Sequence, residues 1–415
     1  MIDLLIRNIS ELLTIPPDPG PDQDAESSLG IIRDGAIAVD AGRILWIGLD
    51  ADVPVEHLDA RRTVDAQGRI AMPGLIDCHT HVVFAGTREL EFEQRIAGQS
   101  YAEIASSGGG ILSTVESVRA ASLDELVDLA RPRIARFLSF GVTTLESKSG
   151  YGLTTADEIK MLEAMAKLRE EGLIDLVPTF LGAHEIPKEY RNNKEDYIKT
   201  LKEIMIPEVS CRGLARFCDI FVEKGVYSID EAEDILGVAQ DHGLGIKVHA
   251  DQLSPLGGAE LAARMGAVSA DHLEHISDAG IRAMIESGTT AVLLPGCSFF
   301  LDLLYPPART LLDAGLPVAL STDFNPGSSM TESLQLILSI ACTQMEMLPH
   351  ETIRAVTINA AHALGLDDTR GSLFPGLRAD IVLMDVPNHR HLPYHFGVSH
   401  TWKVFIEGDL KYETD

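Results

Sequence analysis

Short apolar runs alternate with longer helical patterns from about residue 73 to residue 370, and this rhythm constrains the fold more than any other feature. It is typical of a parallel sheet whose strands are joined by crossover helices. Segments such as 157–170 and 230–242 are the helical ones. The strand candidates are residues 75–76, 141–146, 176–181, 219–223, 245–249, 267–271, 290–294 and 317–322. Eight strands predict an α/β fold of the TIM (β/α)8 barrel type, in which chemistry takes place at the C-terminal strand ends.

The two ends of the chain have a different pattern, with β-like runs and turns. Such runs occupy residues 3–7, 35–39, 43–48 and 63–65 near the start, and 380–385 and 401–407 near the end. Residues 16–26 form a polar, proline-rich loop between the first two runs. We therefore predict a small β-sandwich-like domain built from residues 1–70 and 369–415, with the barrel, residues 71–368, inserted between its halves.

The charge of the chain limits the class of partner. The 415 residues are 45% hydrophobic, which is sufficient for a sizeable core, and carry a formal net charge of −28. A nucleic-acid binder needs a basic face, so we expect no nucleic-acid partner, and an anionic substrate would need a local basic group. We also expect a cytoplasmic protein with no membrane span, because no leader or long apolar run is evident and the five cysteines contain no Cys-x-x-Cys pair.

A His-x-His pair follows the first strand candidate. His79 and His81 are alternate residues, so an extended chain points both imidazoles the same way, with Cα atoms about 6–7 Å apart. Neutral imidazole is the commonest protein ligand of divalent metal ions. Suitable partners at other strand ends would turn this weak motif into a strong one.

Such partners stand at the ends of four other strand candidates. They are His184, His249, His272 and Asp323. Three imidazoles and one carboxylate make a suitable ligand set for Zn²⁺ or Fe²⁺ with one position open for water. We predict one divalent metal ion held by His79, His81, His249 and Asp323.

Other residues allow alternative interpretations. Glu223 at the fourth strand end would suit a second metal ion, and Lys148 is a candidate for a bridging carbamate, although we favour a single ion. His389 and His391 form a second His-x-His pair, but they lie in a proline-rich loop without partner ligands. We predict a structural or interfacial role for both.

The chain resembles the amidohydrolase superfamily of metal-dependent barrel hydrolases and, within it, the imidazolonepropionase family. The resemblance is carried by MPGLIDCHTH (72–81), HVVFAGTR (81–88), ESKSGYG (146–152), FLGAH (180–184), KVHADQ (247–252) and DFNPGS (323–328). It implies a hydrolase of histidine catabolism that opens the ring of 4-imidazolone-5-propanoate to give N-formimidoyl-L-glutamate. It also implies a homodimer and the four metal ligands predicted above. The substrate contacts that it implies are Arg88, Tyr151, His184, Asn325, Gly327 and Ser328, and we add Gln252 as a substrate contact.

The chemistry of these residues fits a carboxylate-bearing substrate. Arg88 offers a planar fork that suits the propionate group and would overcome the acidic charge of the protein. We expect Asp323 or His272 to take a proton from the attacking water, and His272 to pass it to the leaving ring nitrogen. His184 would help the ion to stabilise the developing oxyanion. Gln252 can orient water or substrate but cannot act as a base.

Two alternative functions remain open at this point. Another cyclic amidohydrolase or a nucleobase deaminase would use the same metal ligands, and release of ammonia without ring opening would identify the deaminase. A non-catalytic metal-binding barrel is the more distant alternative. We would expect such a protein to have lost at least one metal ligand, but all four predicted ligands are present in the sequence.

Overall fold

The computed structural model describes residues 1–18, 24–99 and 109–414. Its sixteen strands form two sheets. The strands are β1 (Ile2–Leu13), β2 (Ile31–Asp40), β3 (Arg43–Leu49), β4 (Ala60–Asp65), β5 (Ile70–Pro73), β6 (Leu75–Asp77), β7 (Val142–Lys148), β8 (Asp175–Ala183), β9 (Phe217–Val222), β10 (Gly245–Ala250), β11 (Ser269–His272), β12 (Thr290–Leu293), β13 (Val318–Leu320), β14 (Ile381–Met384), β15 (Thr401–Ile406) and β16 (Asp409–Glu413).

The sheet formed by strands β6 to β13, called here the second sheet, is the predicted barrel. Strands β6 to β13 pair in chain order, and each neighbouring pair is parallel. Most of these strands are buried along their whole length, because helices cover the sheet outside and side chains fill it inside. The predicted TIM barrel is confirmed.

Residues just beyond β6 and β13 close the barrel. The amide of Asp323 donates to the carbonyl of His79 at 3.1 Å, and the amide of His81 donates to the carbonyl of Phe324 at 2.9 Å. In addition, the Thr322 hydroxyl donates to Asp77 at 2.7 Å. The first and last strands are therefore joined at the end where the predicted ligands lie.

The first sheet combines both ends of the chain, as predicted. Its order is β16-β15-β14-β5-β1-β2-β3, with β4 also paired to β1. Strand β14 is antiparallel to β5 and to β15, so the C-terminal strands complete the N-terminal sheet. Since β5 belongs to this sheet and β6 to the barrel, we propose that the two units divide at Gly74, slightly after the predicted 70/71 position. Strands β5 and β16 were not predicted.

Helices connect the barrel strands and pack outside them. The α-helices are α1 (Ala25–Leu29), α2 (Glu89–Ile96), α3 (Ile111–Ala120), α4 (Leu123–Ser139), α5 (Thr155–Glu170), α6 (Lys194–Thr200), α7 (Ile206–Cys211), α8 (Ile229–Asp241), α9 (Gly258–Arg264), α10 (Asp278–Ser287), α11 (Pro295–Leu301), α12 (Ala308–Asp313), α13 (Leu334–Gln344), α14 (Pro349–Ala355), α15 (Ile358–His362) and α16 (His391–Tyr394). A π-helix covers Leu201–Met205, and 3₁₀ turns cover Asp50–Asp52, Val55–His57 and Lys188–Tyr190.

Local sequence signals explain where several helices begin. Ser122 and Glu125 form a capping box at the start of α4, and Ser228 and Glu231 form another at the start of α8. Part of the predicted proline-rich loop, residues 19–23, lies outside the described residues, and its end forms the beginning of α1. Across the ranges that the structure covers, none of the helices has both the length and the apolar character needed to span a membrane.

Candidate metal centre and active site

The predicted metal ligands come from three barrel strands and meet at one end of the barrel. His79 and His81 follow β6, His249 lies in β10, and Asp323 follows β13. All four residues are at most 3% exposed. The structure therefore brings the four side chains together away from bulk solvent.

The spacing of their ligand atoms suits a single ion. One nitrogen from each of His79, His81 and His249 lies within 4.8 Å of the other two. Asp323 Oδ1 lies 3.5 Å from His79 Nε2 and 3.6 Å from His81 Nε2. Ligand atoms around one divalent ion are roughly 3–3.5 Å apart, because each lies about 2.0–2.2 Å from the metal. Among the described residues, His79 Nε2 is buried without a hydrogen-bond partner, and a bound metal ion would satisfy this atom.

Two carboxylates that the sequence reasoning missed orient these imidazoles. Asp271 Oδ2 lies 2.6 Å from His79 Nδ1, and Asp219 Oδ1 lies 3.1 Å from His249 Nδ1. Each carboxylate favours the tautomer with a proton on Nδ1, which frees Nε2 for a metal ion. Asp219 lies in the interior of β9, away from the end of the strand. Asp271 is the last residue of the sixth strand candidate, but the prediction rested on the histidine that follows it.

Lys148 links the two orienting aspartates. Its Nζ lies 2.8 Å from Asp219 Oδ2, 3.6 Å from Asp271 Oδ2 and 2.8 Å from Glu146 Oε1, and all four side chains are fully buried. The surrounding carboxylates raise the pKa of Lys148 despite its burial. A carbamate would place a negative charge beside three carboxylates, so this position favours an ammonium group.

The electrostatics of the cluster also suit a cation. Burial lowers the pKa values of His79 and His81 well below the ordinary value, and this keeps both rings neutral. Neutral imidazole is the form that binds metal ions. Burial raises the pKa of Asp323 to about 6. A neighbouring cation would favour its ionised form.

His272 lies at the end of β11 beside the ligand cluster. Its ring centroid is 5.3 Å from that of His249 and 5.6 Å from that of His79. Burial lowers its pKa, but the nearby carboxylates of Glu274, Asp323 and Asp271 together outweigh this effect and raise it overall. His272 and Asp323 both have positive φ angles, +83° and +52°. Such backbone strain in residues other than glycine is concentrated at active sites.

His184 and Tyr151 form a wall next to His81. The His184 ring stacks on His81 with a centroid distance of 5.2 Å and an interplanar angle of 14°. The Tyr151 ring lies 5.6 Å from His81 and 5.4 Å from His184, and it is 3% exposed. Burial lowers the pKa of His184 to about 3, so this ring is neutral.

The loop that carries Tyr151 is held by a buried carboxylate. Glu158 accepts hydrogen bonds from the amides of Gly150, Gly152 and Leu153 at 2.8–3.2 Å. Gly150 has φ +102°, and a Cβ there would lie 2.9 Å from His184 Nδ1. Glycine is therefore required at Gly150 both by its backbone conformation and by the close approach of His184.

Arg88 is held in place by an acidic neighbour. Its Nε donates to Glu91 Oε2 at 2.8 Å, and its Nη2 lies 2.7 Å from the same oxygen. The other oxygen of Glu91 accepts from the amide of Gly110 at 3.0 Å. The Arg88 side chain is only 13% exposed. Its Nη1 lies so close to Gly327 that a Cβ on that glycine would be 2.2 Å away.

The turn after Asp323 contains the other predicted contacts. The side-chain oxygen of Asn325 accepts from the amides of Gly327 and Ser328, each at 2.8 Å. The Ser328 hydroxyl lies 3.3 Å from Asp323 Oδ2. The turn thus links a metal-ligand candidate to the glycine against which Arg88 packs.

The remaining predicted residues have varied surroundings. Gln252 is partly buried, and its Nε2 lies 3.7 Å from Cys297 Sγ. Glu223 accepts from the amide of Leu253 at 3.0 Å and from the Ser254 hydroxyl, so it holds a loop. The second His-x-His pair lies away from the barrel cluster, with His389 bonded to Glu11 of the first sheet at 2.9 Å and His391 in α16.

Comparison with known proteins agrees with this architecture. Residues 70–411 match the model of the Amidohydrolase family. The structure is similar to that of an adenosine deaminase from Xanthomonas campestris with bound zinc, with a TM-score of 0.74 and 20% identity over 99% of this chain and 93% of that one. It is also similar to a triazine hydrolase variant, with a TM-score of 0.76 and 18% identity over 100% and 95% of the two chains. At these identities the likeness shows the shared fold.

The sequence comparison is more specific. The chain is 46% identical to the imidazolonepropionase of Bacillus velezensis over 408 residues, which cover 98% of this chain and 96% of that protein. It is 45% identical to the imidazolonepropionase of Geobacillus thermodenitrificans over 415 residues, which cover 99% and 98%. Such identity over nearly the whole length of both proteins establishes common family membership. The chain therefore belongs to the amidohydrolase family and, within it, to the imidazolonepropionases.

Proposed function

We propose that this protein hydrolyses 4-imidazolone-5-propanoate to N-formimidoyl-L-glutamate in histidine catabolism. The observation that carries the proposal is the pairing of a metal-ligand cluster with a partly buried arginine. Arg88 packs against Gly327, four residues after the ligand candidate Asp323. A substrate that carries both a hydrolysable ring and an acid group would engage both features.

We propose that His79, His81, His249 and Asp323 hold one divalent ion, zinc or iron. The neutral rings, their mutual spacing and the unpartnered nitrogen of His79 support this ligand set. When bound, such an ion would acidify water and polarise the ring carbonyl. Asp219 and Asp271 would keep the ligand nitrogens aimed at it, with Lys148 holding both aspartates.

Arg88 would bind the propionate group of the substrate. Glu91 occupies the Nε and Nη2 side of the guanidinium, while Nη1 lies toward Gly327. An arginine that is already oriented in this way loses little side-chain entropy when it binds a carboxylate. Tyr151, Asn325 and Ser328 would line the rest of the substrate site.

His184 would contact the substrate ring. Its Nδ1 lies 3.0 Å from the carbonyl oxygen of Gly150, which can only accept a hydrogen bond. Nδ1 of the neutral ring therefore carries the proton, and Nε2 is an acceptor. This tautomer favours a hydrogen bond from a ring N–H of the substrate. The predicted stabilisation of an oxyanion would require the His184 ring to be protonated.

Asp323 and His272 would handle the proton of the reaction. Water adds to the ring carbonyl carbon, the carbon–nitrogen bond breaks, and the proton lost by water passes to the leaving nitrogen. His272 lies next to the ligand cluster and is the residue suited to that transfer. Gln252 would orient water or substrate, because its amide cannot take up a proton at neutral pH.

A direct assay tests the proposed activity. The purified protein, loaded with zinc or iron, is mixed with enzymatically generated imidazolonepropionate, and the loss of its ultraviolet absorbance is followed. We expect loss of absorbance with formation of N-formimidoyl-L-glutamate. Release of ammonia from a nucleobase without turnover of imidazolonepropionate would instead identify a deaminase, and absence of both reactions would reject the proposal.

We further propose a cytoplasmic homodimer that binds no nucleic acid. The homodimer rests on the family resemblance, and the nucleic-acid statement rests on the net charge of −28. Light scattering on the purified protein would test the oligomeric state. A mass equal to that of one chain would contradict the homodimer.

A further inference from the structure

Glu274 is a buried carboxylate that lies beside His272. Its Oε1 is 3.6 Å from His272 Nδ1, and its side chain is 2% exposed. Within the described part of the chain, His272 Nδ1 and Glu274 Oε2 both lack a hydrogen-bond partner. Buried polar atoms in native proteins are almost always bonded. Two neighbouring unpartnered atoms on a buried histidine and a buried glutamate therefore call for a functional explanation.

The other two carboxylates close to His272, those of Asp271 and Asp323, already have partners in the site. Asp271 Oδ2 is bonded to His79 Nδ1, and its Oδ1 accepts from the Ser269 hydroxyl at 2.6 Å. Asp323 belongs to the ligand cluster. Glu274 is thus the carboxylate available to the Nδ1 side of His272.

Gln252 borders the same part of the site but has no charge. Its Nε2 lies 3.7 Å from the thiol of Cys297. Burial raises the pKa of that thiol, and the charges of Asp323 and Glu274 raise it further. Of Gln252 and Glu274, only Glu274 therefore has a carboxylate that could accept a hydrogen bond from His272.

We propose that Glu274 is the positioning residue of His272. It accepts a hydrogen bond from Nδ1–H, keeps the ring oriented and leaves Nε2 to carry the proton toward the leaving nitrogen. The present separation of 3.6 Å is longer than a hydrogen bond. Catalytic hydrogen bonds often tighten only when substrate binds. Glu274 itself gains and loses no proton in this scheme, which rests on the proposed function.

The substitution Glu274→Gln tests this role because it removes the charge and keeps the shape. Glu260→Gln is the matched control, since Glu260 on α9 bonds to the Ser277 hydroxyl. Three quantities are measured on the metal-loaded proteins: kcat and KM for imidazolonepropionate, metal content, and the ¹⁵N resonances of the His272 ring. The resonances report which ring nitrogen is protonated and need no substrate.

We expect Glu274→Gln to lower kcat about 10- to 100-fold, a part of the 10²–10⁴-fold that acid–base catalysis supplies. KM and metal content should stay unchanged, the His272 Nδ1 resonance should shift, and Glu260→Gln should match the unsubstituted protein in every measurement.

The outcomes separate this inference from the proposed function. Normal kcat with an unshifted His272 resonance would overturn the role of Glu274, and so would a fall in kcat explained by lost metal. If the unsubstituted protein leaves imidazolonepropionate intact but Glu274→Gln still shifts the resonance, the proposed function fails and the positioning role stands.

Discussion

Lys148 Nζ lies 2.8 Å from Asp219 Oδ2, and neither side chain is exposed to solvent. The same ammonium lies 3.6 Å from Asp271 Oδ2. Because Asp219 orients His249 and Asp271 orients His79, one buried cation supports two of the candidate metal ligands. The removal of this cation should therefore affect both the fold and the metal site.

Lys148→Met should destabilise the protein by about 3–5 kcal/mol, because it leaves buried carboxylates without their partner. Metal affinity should fall about 10- to 100-fold, as it does when residues that orient metal ligands are removed. Urea unfolding and competition with a fluorescent chelator measure the two effects. Lys167→Met is the control, since Lys167 pairs with Asp124 at the surface and should change stability by less than about 1 kcal/mol. Equal effects of the two substitutions would contradict this account.

Removal of the metal ion should abolish activity and lower stability. An ion that binds only the folded state, at a free concentration about 100-fold above its Kd, stabilises it by ~2.7 kcal/mol. Chelation should therefore shift the urea midpoint downward, and added zinc or iron should restore both the midpoint and turnover. The variant His79→Ala should show no such shift. Identical midpoints of the chelated and loaded protein would argue against the predicted ion.

Arg88→Lys should raise KM for imidazolonepropionate about 10- to 100-fold, since a hydrogen bond to a charged group contributes about 1.5–3 kcal/mol and lysine cannot reproduce the fork. The effect on kcat should be smaller, because Arg88 contacts the acid group rather than the reacting ring. Steady-state kinetics measure both parameters. Arg131→Lys, at a surface site paired with Asp128 and Glu171, should leave both unchanged. A normal KM for Arg88→Lys would remove Arg88 from the substrate site.

Gly327→Ala should disturb Arg88 without unfolding the protein. The new Cβ would lie 2.2 Å from Arg88 Nη1, and Glu91 restrains the guanidinium from moving away. We expect KM to rise roughly 10-fold, in line with a misplaced charged hydrogen bond, with little change in metal content. Gly237→Ala in α8 is the control, since its Cβ would have nothing within 4 Å, and it should be neutral or slightly stabilising. A matching KM for the two variants would contradict the close packing.

The pair of Glu11 and His389 should make stability depend on pH in the acid range. Burial opposes ionisation of Glu11, but hydrogen bonds and charge from His389 and Arg33 outweigh it and lower the pKa to about 2, from an ordinary 4.5. A lowered folded-state pKa means that the ionised form stabilises the fold above about pH 4.5, and that this contribution is lost between about pH 4.5 and 2.

Urea unfolding of Glu11→Gln at a series of pH values would measure that contribution. Near pH 7 the variant should be about 1–3 kcal/mol less stable than the unsubstituted protein. The difference should shrink as the pH falls toward 2. Glu26→Gln, which alters a surface pair with Arg33, should show a small difference at every pH. A gap between Glu11→Gln and the unsubstituted protein that stays constant with pH would refute the titration.

Much of this architecture could be predicted from local patterns. Apolar runs between helical segments were sufficient to identify eight barrel strands, because parallel strands covered on both faces are apolar throughout. The His-x-His pair and the polar residues at strand ends indicated a metal site, because the C-terminal strand ends meet at one face of the barrel. Strand β16 was missed because it is short and contains only two apolar residues, Leu410 and Tyr412, neither of which is fully buried.

The supporting contacts around the site could not be predicted. Lys148 and Asp219 are 71 positions apart, and neither has a sequence signature that distinguishes a buried ion pair from two surface charges. Strand periodicity offered one signal. Asp219 lies on the same side of β9 as Phe217 and Phe221, so its side chain is expected to point into the protein interior as theirs do. Glu274 and Glu91 lie in irregular segments or helix starts, where periodicity carries no such information.

The hydrogen bond from the amide of Asp323 to the carbonyl of His79 joins the last strand of the barrel to the first, and both residues are candidate ligands of one ion. A growing polypeptide cannot assemble this site until the last barrel strand has emerged and docked beside the first. An ion bound there would stabilise the closed barrel. Binding of the ion would therefore show that all eight strands are in place. Chains truncated before the last barrel strand, or chains in which the first and last strands are separated, should accordingly bind no metal ion.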